Sequence, residues 1–224
     1  MKRILFLFLI LFVECQVKAD WEAGKKAFDR GDYETAKIEW TRAAEQGDAQ
    51  AQFSLGGMYY QGRGMAPNYD EAARWFRKSA EAGHAQSQFF LAAMLDEGKG
   101  VPRDEKEALR LRLLAARQGF APAQLVLGLM YRQGHGVARD DKESVKWLRL
   151  AAKQGVHDAE FFVGMAYAQG VGIPQDLVIA YAWMRRAAVG GNPDAVNERD
   201  KLALSLTPQQ KERAEELAQG RSLE

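Results

Sequence analysis

From residue 48 onward the chain repeats one pattern of apolar and polar positions every 36 residues, and within each copy the apolar positions fall at helical spacing. Ala51, Leu55, Gly56 and Tyr59 stand at i, i+4, i+5 and i+8, which is one face of a helix. A Gly62-Arg63-Gly64 loop follows, and Asn68 then offers the short side-chain oxygen that satisfies orphan amides at a helix start. Ala72, Trp75, Phe76, Ser79 and Ala80 form the apolar face of a second helix, which Gly83 ends. The same columns return at Gly62, Gly98, Gly134 and Gly170, at Gly47, Gly83, Gly119, Gly155 and Gly191, and at Asp32, Asn68, Asp104, Asp140 and Asp176. Agreement of so many columns at one step predicts a solenoid of helix pairs. Gly56, Gly128 and Gly164, with Ala92 in the same column, weaken a helix by propensity, so they are expected where a partner helix approaches closely.

One copy reads Ala123-Gln124-x-x-Leu127-Gly128-x-Met130-Tyr131-x-x-Gly134-x-Gly136-Val137-x-x-Asp140, then Trp147 and Ala151-Ala152-x-x-Gly155. This resembles the Sel-1-like repeat, a relative of the tetratricopeptide repeat, over residues 20 to about 219. The resemblance implies an all-α fold: a right-handed superhelical α-solenoid of about five helix-turn-helix repeats with period 36, plus a C-terminal capping helix pair. Residues 48–191 hold four Sel-1-like repeats. Residues 20–47 align only with a loop shorter by about four residues, pairing Gly24 with Gly56 and Ala27 with Tyr59, and so read as a tetratricopeptide-like N-terminal cap. Residues 192–220 read as capping helices. Asn197, Glu198, Arg199 and Asp200 replace apolar residues there, and Thr207-Pro208-x-Gln210 has the form of a capping box with proline at the first helical position. Polar end units keep the termini of a repeat stack soluble.

The N-terminus carries a different signal. Met1-Lys2-Arg3 precedes an unbroken apolar run from Ile4 to Val13, and Val17-Lys18-Ala19 has a small-residue cleavage pattern. That is the order of a secretory signal peptide covering residues 1–19. The run is shorter than the roughly 20 apolar residues a spanning helix needs. Glu14 immediately before Cys15 argues against lipid attachment at that cysteine. Cleavage after Ala19 removes three cations and one anion, so the formal net charge moves from +1 to −1, and it removes the single cysteine. The expected product is a soluble, monomeric periplasmic protein with no stable membrane insertion. A charge so near zero excludes a dedicated nucleic-acid binder, and without cysteine the fold must rest on packing.

Candidate chemistry is sparse. The sequence has no His-Glu-x-x-His, Gly-x-Ser-x-Gly, P-loop or Ser-x-x-Lys motif, and its Gly-x-Gly pairs lack the third glycine of a dinucleotide fingerprint. His84, His135 and His157 are expected in exposed loops, without metal-ligand spacing. No catalytic residue, cofactor or metal site is therefore assigned. Some members of the resembled family are associated with β-lactam binding or hydrolysis, but those have disulfide-bridged, cysteine-rich repeats. A hydrolase acting on β-lactams or peptidoglycan stands as a third alternative.

The stronger functional signal is a line along the first helix of each repeat. Positions 50, 54, 57 and 61 project opposite the core face on a helical wheel. The second unit has mostly polar residues there, whereas the next three place Phe90 and Ala93, then Val126 and Leu129, then Phe162 and Met165 on that line. In tetratricopeptide-like stacks this face lines a concave groove, so the resemblance implies an apolar strip that binds another protein. Asp96 and Arg132 lie in one neighbouring column and add charge selectivity if they are free. The alternative is that the line packs between adjacent repeats. Two partners fit the groove reading: an envelope protein held by an adaptor or regulator, or a secreted effector toxin, such as a type VI secretion phospholipase, neutralised by an immunity protein.

Overall fold

The computed structural model describes residues 21–220; the segment expected to be a signal peptide, with Cys15, and the last four residues lie outside them. Among the described residues there are twelve helices and no strand. They are α1 (21–29), α2 (Tyr33–Glu45), α3 (Ala49–Gln61), α4 (Tyr69–Glu81), α5 (Ala85–Glu97) and α6 (Glu105–Arg117). The order continues with α7 (Ala121–Gln133), α8 (Asp141–Ala152), α9 (His157–Gln169), α10 (Leu177–Val189), α11 (Pro193–Leu204) and α12 (Pro208–Gln219). The helix pairs follow the predicted 36-residue step of an α-solenoid repeat.

Local chemistry sets the boundaries. The Asp/Asn column opens each second helix: Asp32 accepts from the Thr35 amide, Asn68 from Glu71, Asp104 from Glu107, Asp140 from Glu143 and Asp176 from Ile179. Each such cap contributes about 1 kcal/mol. The first helices of the four full repeats stop on Gly62, Gly98, Gly134 and Gly170, all with φ between 65° and 71°. Glycine enters that left-handed region without a Cβ penalty. At the C-terminal end, Thr207 and Gln210 form the reciprocal capping box that starts α12.

The chain forms two compact units whose border falls within α6, after Leu114. In the first unit, Ala27, Ala36, Trp40, Leu55, Met58 and Trp75 make one buried cluster. Phe76, Leu91, Met94, Leu95 and Leu111 make the next. In the second unit the core centres on Leu148, Val163, Tyr167 and Trp183, joined by Leu206 from the turn between α11 and α12 and by Ala214 of α12. Trp183 is 1% exposed.

The predicted close approaches are present. A Cβ on Gly56 would lie 2.8 Å from the Phe76 ring, one on Gly128 would lie 2.6 Å from Leu148, and one on Gly24 would lie 2.5 Å from Trp40. The pairing of Gly24 with the Gly56 column therefore holds, because each glycine admits a bulky side chain from the second helix of its own pair. A second column works between repeats. Gln52, Gln88 and Gln124 are buried, and their amides donate to the Ala44, Ala80 and Ala116 carbonyls at 3.0, 3.2 and 3.0 Å. Each ties the start of a first helix to the end of the preceding helix, as a second donor to a carbonyl that also accepts from the amide of the turn glycine, Gly47, Gly83 or Gly119.

Candidate interaction surface

In the first unit, α5 presents Phe90 with 38% of its surface exposed. One face of the ring is anchored: it stacks on Phe76 at 5.7 Å and lies 5.8 Å from Phe53, with Phe89 edge-on at 5.9 Å. Such a ring loses little further freedom when a partner covers its open face. Ala93, one turn along, is half-buried. Asp96 is not free to select charge, because it pairs with Arg112 of α6, which is itself only 9% exposed. Arg112 occupies the column that holds Phe76, Leu148 and Met184 elsewhere, so a cation has entered a core position and brought its counter-charge with it.

In the second unit the line is seated more deeply. Val126 and Leu129 on α7 and Phe162 and Met165 on α9 are all half-buried. Leu129 and Phe162 pack against the Leu148–Trp183 cluster, and Met165 packs against Met184, Ala187 and Ala195. The wheel placed these three side chains opposite the core, but in a stack that flank of a first helix also meets its neighbours. Arg132 is exposed, and its guanidinium sits 4.9 Å from the Phe162 ring centre, a cation–π contact worth about 0.5–1 kcal/mol at such a site. Of the two charged positions in that column, Arg132 alone presents a charge without a carboxylate partner among the described residues.

The histidines divide. His135 is an exposed loop residue. His157 opens α9 and pairs with Glu160. His84 differs from the expected solvated loop position: it is the N-cap of α5, half-buried, with its ring 4.9 Å from Phe53 and its Nε2 3.2 Å from Gln50. Burial lowers the His84 pKa, opposed by the Asp48 carboxylate. A folded pKa below the unfolded value means the unfolded chain binds more protons. The stabilisation is therefore complete above the ordinary pKa of 6.5 and is lost as pH falls below it toward the folded value. Between about pH 7 and 5 the parent Tm should fall more steeply than that of His84→Asn, which keeps a capping oxygen without titrating. Superimposable pH profiles would show that His84 carries no such linkage.

Among the described residues no helix is long and apolar enough to cross a membrane, and no cluster of three or more His, Cys, Asp or Glu could hold a metal ion.

Paired helices at a fixed period, with first-helix side chains partly open to solvent, define a helical-repeat scaffold suited to protein–protein interaction. The chain belongs to the Sel1 repeat family, whose profile matches residues 49–84, 85–120, 121–156 and 157–192. It is similar to a Sel1 repeat protein from Oxalobacter formigenes, with 32% identity, TM-score 0.74, and coverage of 91% of this chain and 85% of that one. It is also similar to a protective antigen with the same fold from uropathogenic Escherichia coli, with 30% identity, TM-score 0.56, and coverage of 84% of this chain and 48% of that one. A putative Sel1 repeat protein from Klebsiella pneumoniae shows 26% identity and TM-score 0.52, over 84% of this chain and 93% of that one. No curated protein sequence matches significantly.

Proposed function

We propose that this protein is an exported, non-catalytic scaffold that captures a partner protein in the periplasm, acting as an adaptor or regulator of an envelope protein. The observation that carries this reading is Phe90, a large aromatic side chain exposed on a first helix yet braced from behind by three other rings. Hot spots of binding are dominated by such anchors. Phe162 under Arg132 offers a similar anchor in the second unit, and Ala93, Val126, Leu129 and Met165 supply apolar surface around the two rings. Export is supported by the basic, apolar and small-residue order of residues 1–19.

Phe90→Ser tests the surface: with 38% of the ring open to solvent, losing its remaining burial and its ring contacts should cost about 2 kcal/mol. The variant should lower capture of the partner from an envelope extract by tenfold or more, with Tm reduced by only a few degrees. Phe162→Ser should lose capture and a larger share of stability, since Phe162 belongs to the core edge. Undiminished capture by Phe90→Ser would overturn the assignment. Mass spectrometry of the captured protein then separates an envelope client from a secreted effector.

A further inference from the structure

Several positions of the last full repeat depart together from the columns they occupy, and they meet at one place in the second unit. His157 follows Ala49, Ala85 and Ala121; Glu160 follows Gln52, Gln88 and Gln124; Gly190 follows Gln46, Ala82, Gln118 and Gln154. Arg186 stands where the two preceding repeats have Leu114 and Leu150.

The preceding repeat shows what the ordinary arrangement does. Gln124 donates to the Ala116 carbonyl, and its oxygen accepts from the Gln154 amide at 2.8 Å, so a buried neutral group is satisfied by another neutral group. Glu160 cannot donate in that way. It is 1% exposed, its Oε1 accepts from Arg186 Nε at 2.9 Å, and its Oε2 lies 2.9 Å from His157 Nδ1. Gly190 lets the imidazole lie against the chain, since a Cβ there would overlap the His157 ring. On the preceding position of α10, Arg185 Nε donates to both oxygens of Glu215 in α12 at 2.9 and 3.2 Å, and Tyr181 Oη donates to the same carboxylate at 3.0 Å. Between these groups opens a cleft of about 530 Å³, with Val189 and Ala218 as apolar wall.

A buried carboxylate is costly to desolvate unless it is paired, and three glutamines show that the fold does not need one in this column. Here the two carboxylates hold two guanidinium groups in the lining of the cavity. A guanidinium has five N–H donors. Arg185 spends only its Nε, and Arg186 spends its Nε and one terminal nitrogen. The remaining N–H groups have no protein acceptor among the described residues, and a carboxylate is the planar acceptor that fits them. The volume lies within the range of about 300–1,000 Å³ usual for small-molecule sites.

We propose that this cleft binds a carboxylate with an apolar group beside it, the chemistry shared by the C-terminal residue of a polypeptide and by a free hydrophobic acid. The site is independent of the partner surface described above. It is tested by following the Arg185 and Arg186 side-chain Nε–H resonances of the purified protein by NMR during titration to about 10 mM. The probes are acetyl-Ala-Leu, its C-terminal amide, and hexanoate. Saturable shifts with the free-acid peptide and none with the amide are expected. Tighter binding of the peptide than of hexanoate identifies a polypeptide end as the natural source, and equal binding identifies a free acid. Arg185→Gln should weaken the acid at least tenfold. A fourfold variant, His157→Ala with Glu160→Gln, Arg186→Leu and Gly190→Gln, restores the residues of the preceding repeat and should keep the fold while abolishing binding. No saturation by either acid, equal binding of the amide, or binding unchanged in the folded fourfold variant would overturn the proposal.

Discussion

Gly172→Ala is expected to destabilise the protein far more than Gly136→Ala, although the two glycines share one column of the repeat. Both have left-handed backbones, with φ of 72° and 69°, so either alanine incurs the conformational cost of about 1–2 kcal/mol. The surroundings separate them. A Cβ on Gly172 would run into the carbonyl of Asp141, a backbone group at the start of α8. A Cβ on Gly136 would meet only the terminal methyl of Met130, at 3.3 Å. A methionine tip moves at little cost, whereas a helix start must shift with its cap. Gly136→Ala should cost about 1–2 kcal/mol and Gly172→Ala about 3 kcal/mol or more, read from urea midpoints at constant slope. Equal losses would show that the loop between α9 and α10 yields freely.

Asp96→Ala is expected to be the most damaging loss of a charged side chain. Arg112 is nearly buried, and its Nε already lacks an acceptor, so Asp96 is the counter-charge that makes the core position tolerable. Removing one partner of a buried pair leaves an uncompensated charge and typically costs 3–5 kcal/mol. About 3 kcal/mol is expected here, because the Asp96 carboxylate still meets solvent. Adding Arg112→Leu, the residue type of the equivalent Leu148, should recover most of that loss. Glu105→Ala, which breaks an exposed pair with Arg103, should change stability by less than about 0.5 kcal/mol. Thermal unfolding of these variants measures the coupling, and a double variant no more stable than Asp96→Ala would show that Arg112 is not the source of the cost.

How much was legible in advance follows the range of the forces involved. The Asp/Asn caps, the glycine stops and the Thr207–Gln210 capping box act within four residues of chain, so their columns could be read directly. A close approach at Gly56 and Gly128 was also readable, since small residues recur in that one column; Gly57, beside it in the same helix, has nothing within 4 Å, and the partners Phe76 and Leu148 came from the structure. The glutamine ties were available at the same 36-residue step in Gln52, Gln88 and Gln124, but a buried amide looks the same in sequence as a solvated one. The outward line was harder to read. A helical wheel treats a helix as having one buried side, whereas a first helix in a stack is flanked on both sides, so Leu129, Phe162 and Met165 share in the core while Phe90 opens to solvent.

The sequence by itself determined the period, the helix pairs and their caps, because these depend on local hydrogen bonding and on apolar spacing along one helix. Tertiary structure alone decided which of several equivalent residues would matter. It paired Asp96 with a buried arginine, left the Arg132 charge open over Phe162, set Gly172 against a backbone carbonyl, and gathered His157, Glu160, Arg186 and Gly190 around one cleft. Those outcomes depend on which atoms of distant segments share a volume, and identical columns of a repeat acquire different neighbours there.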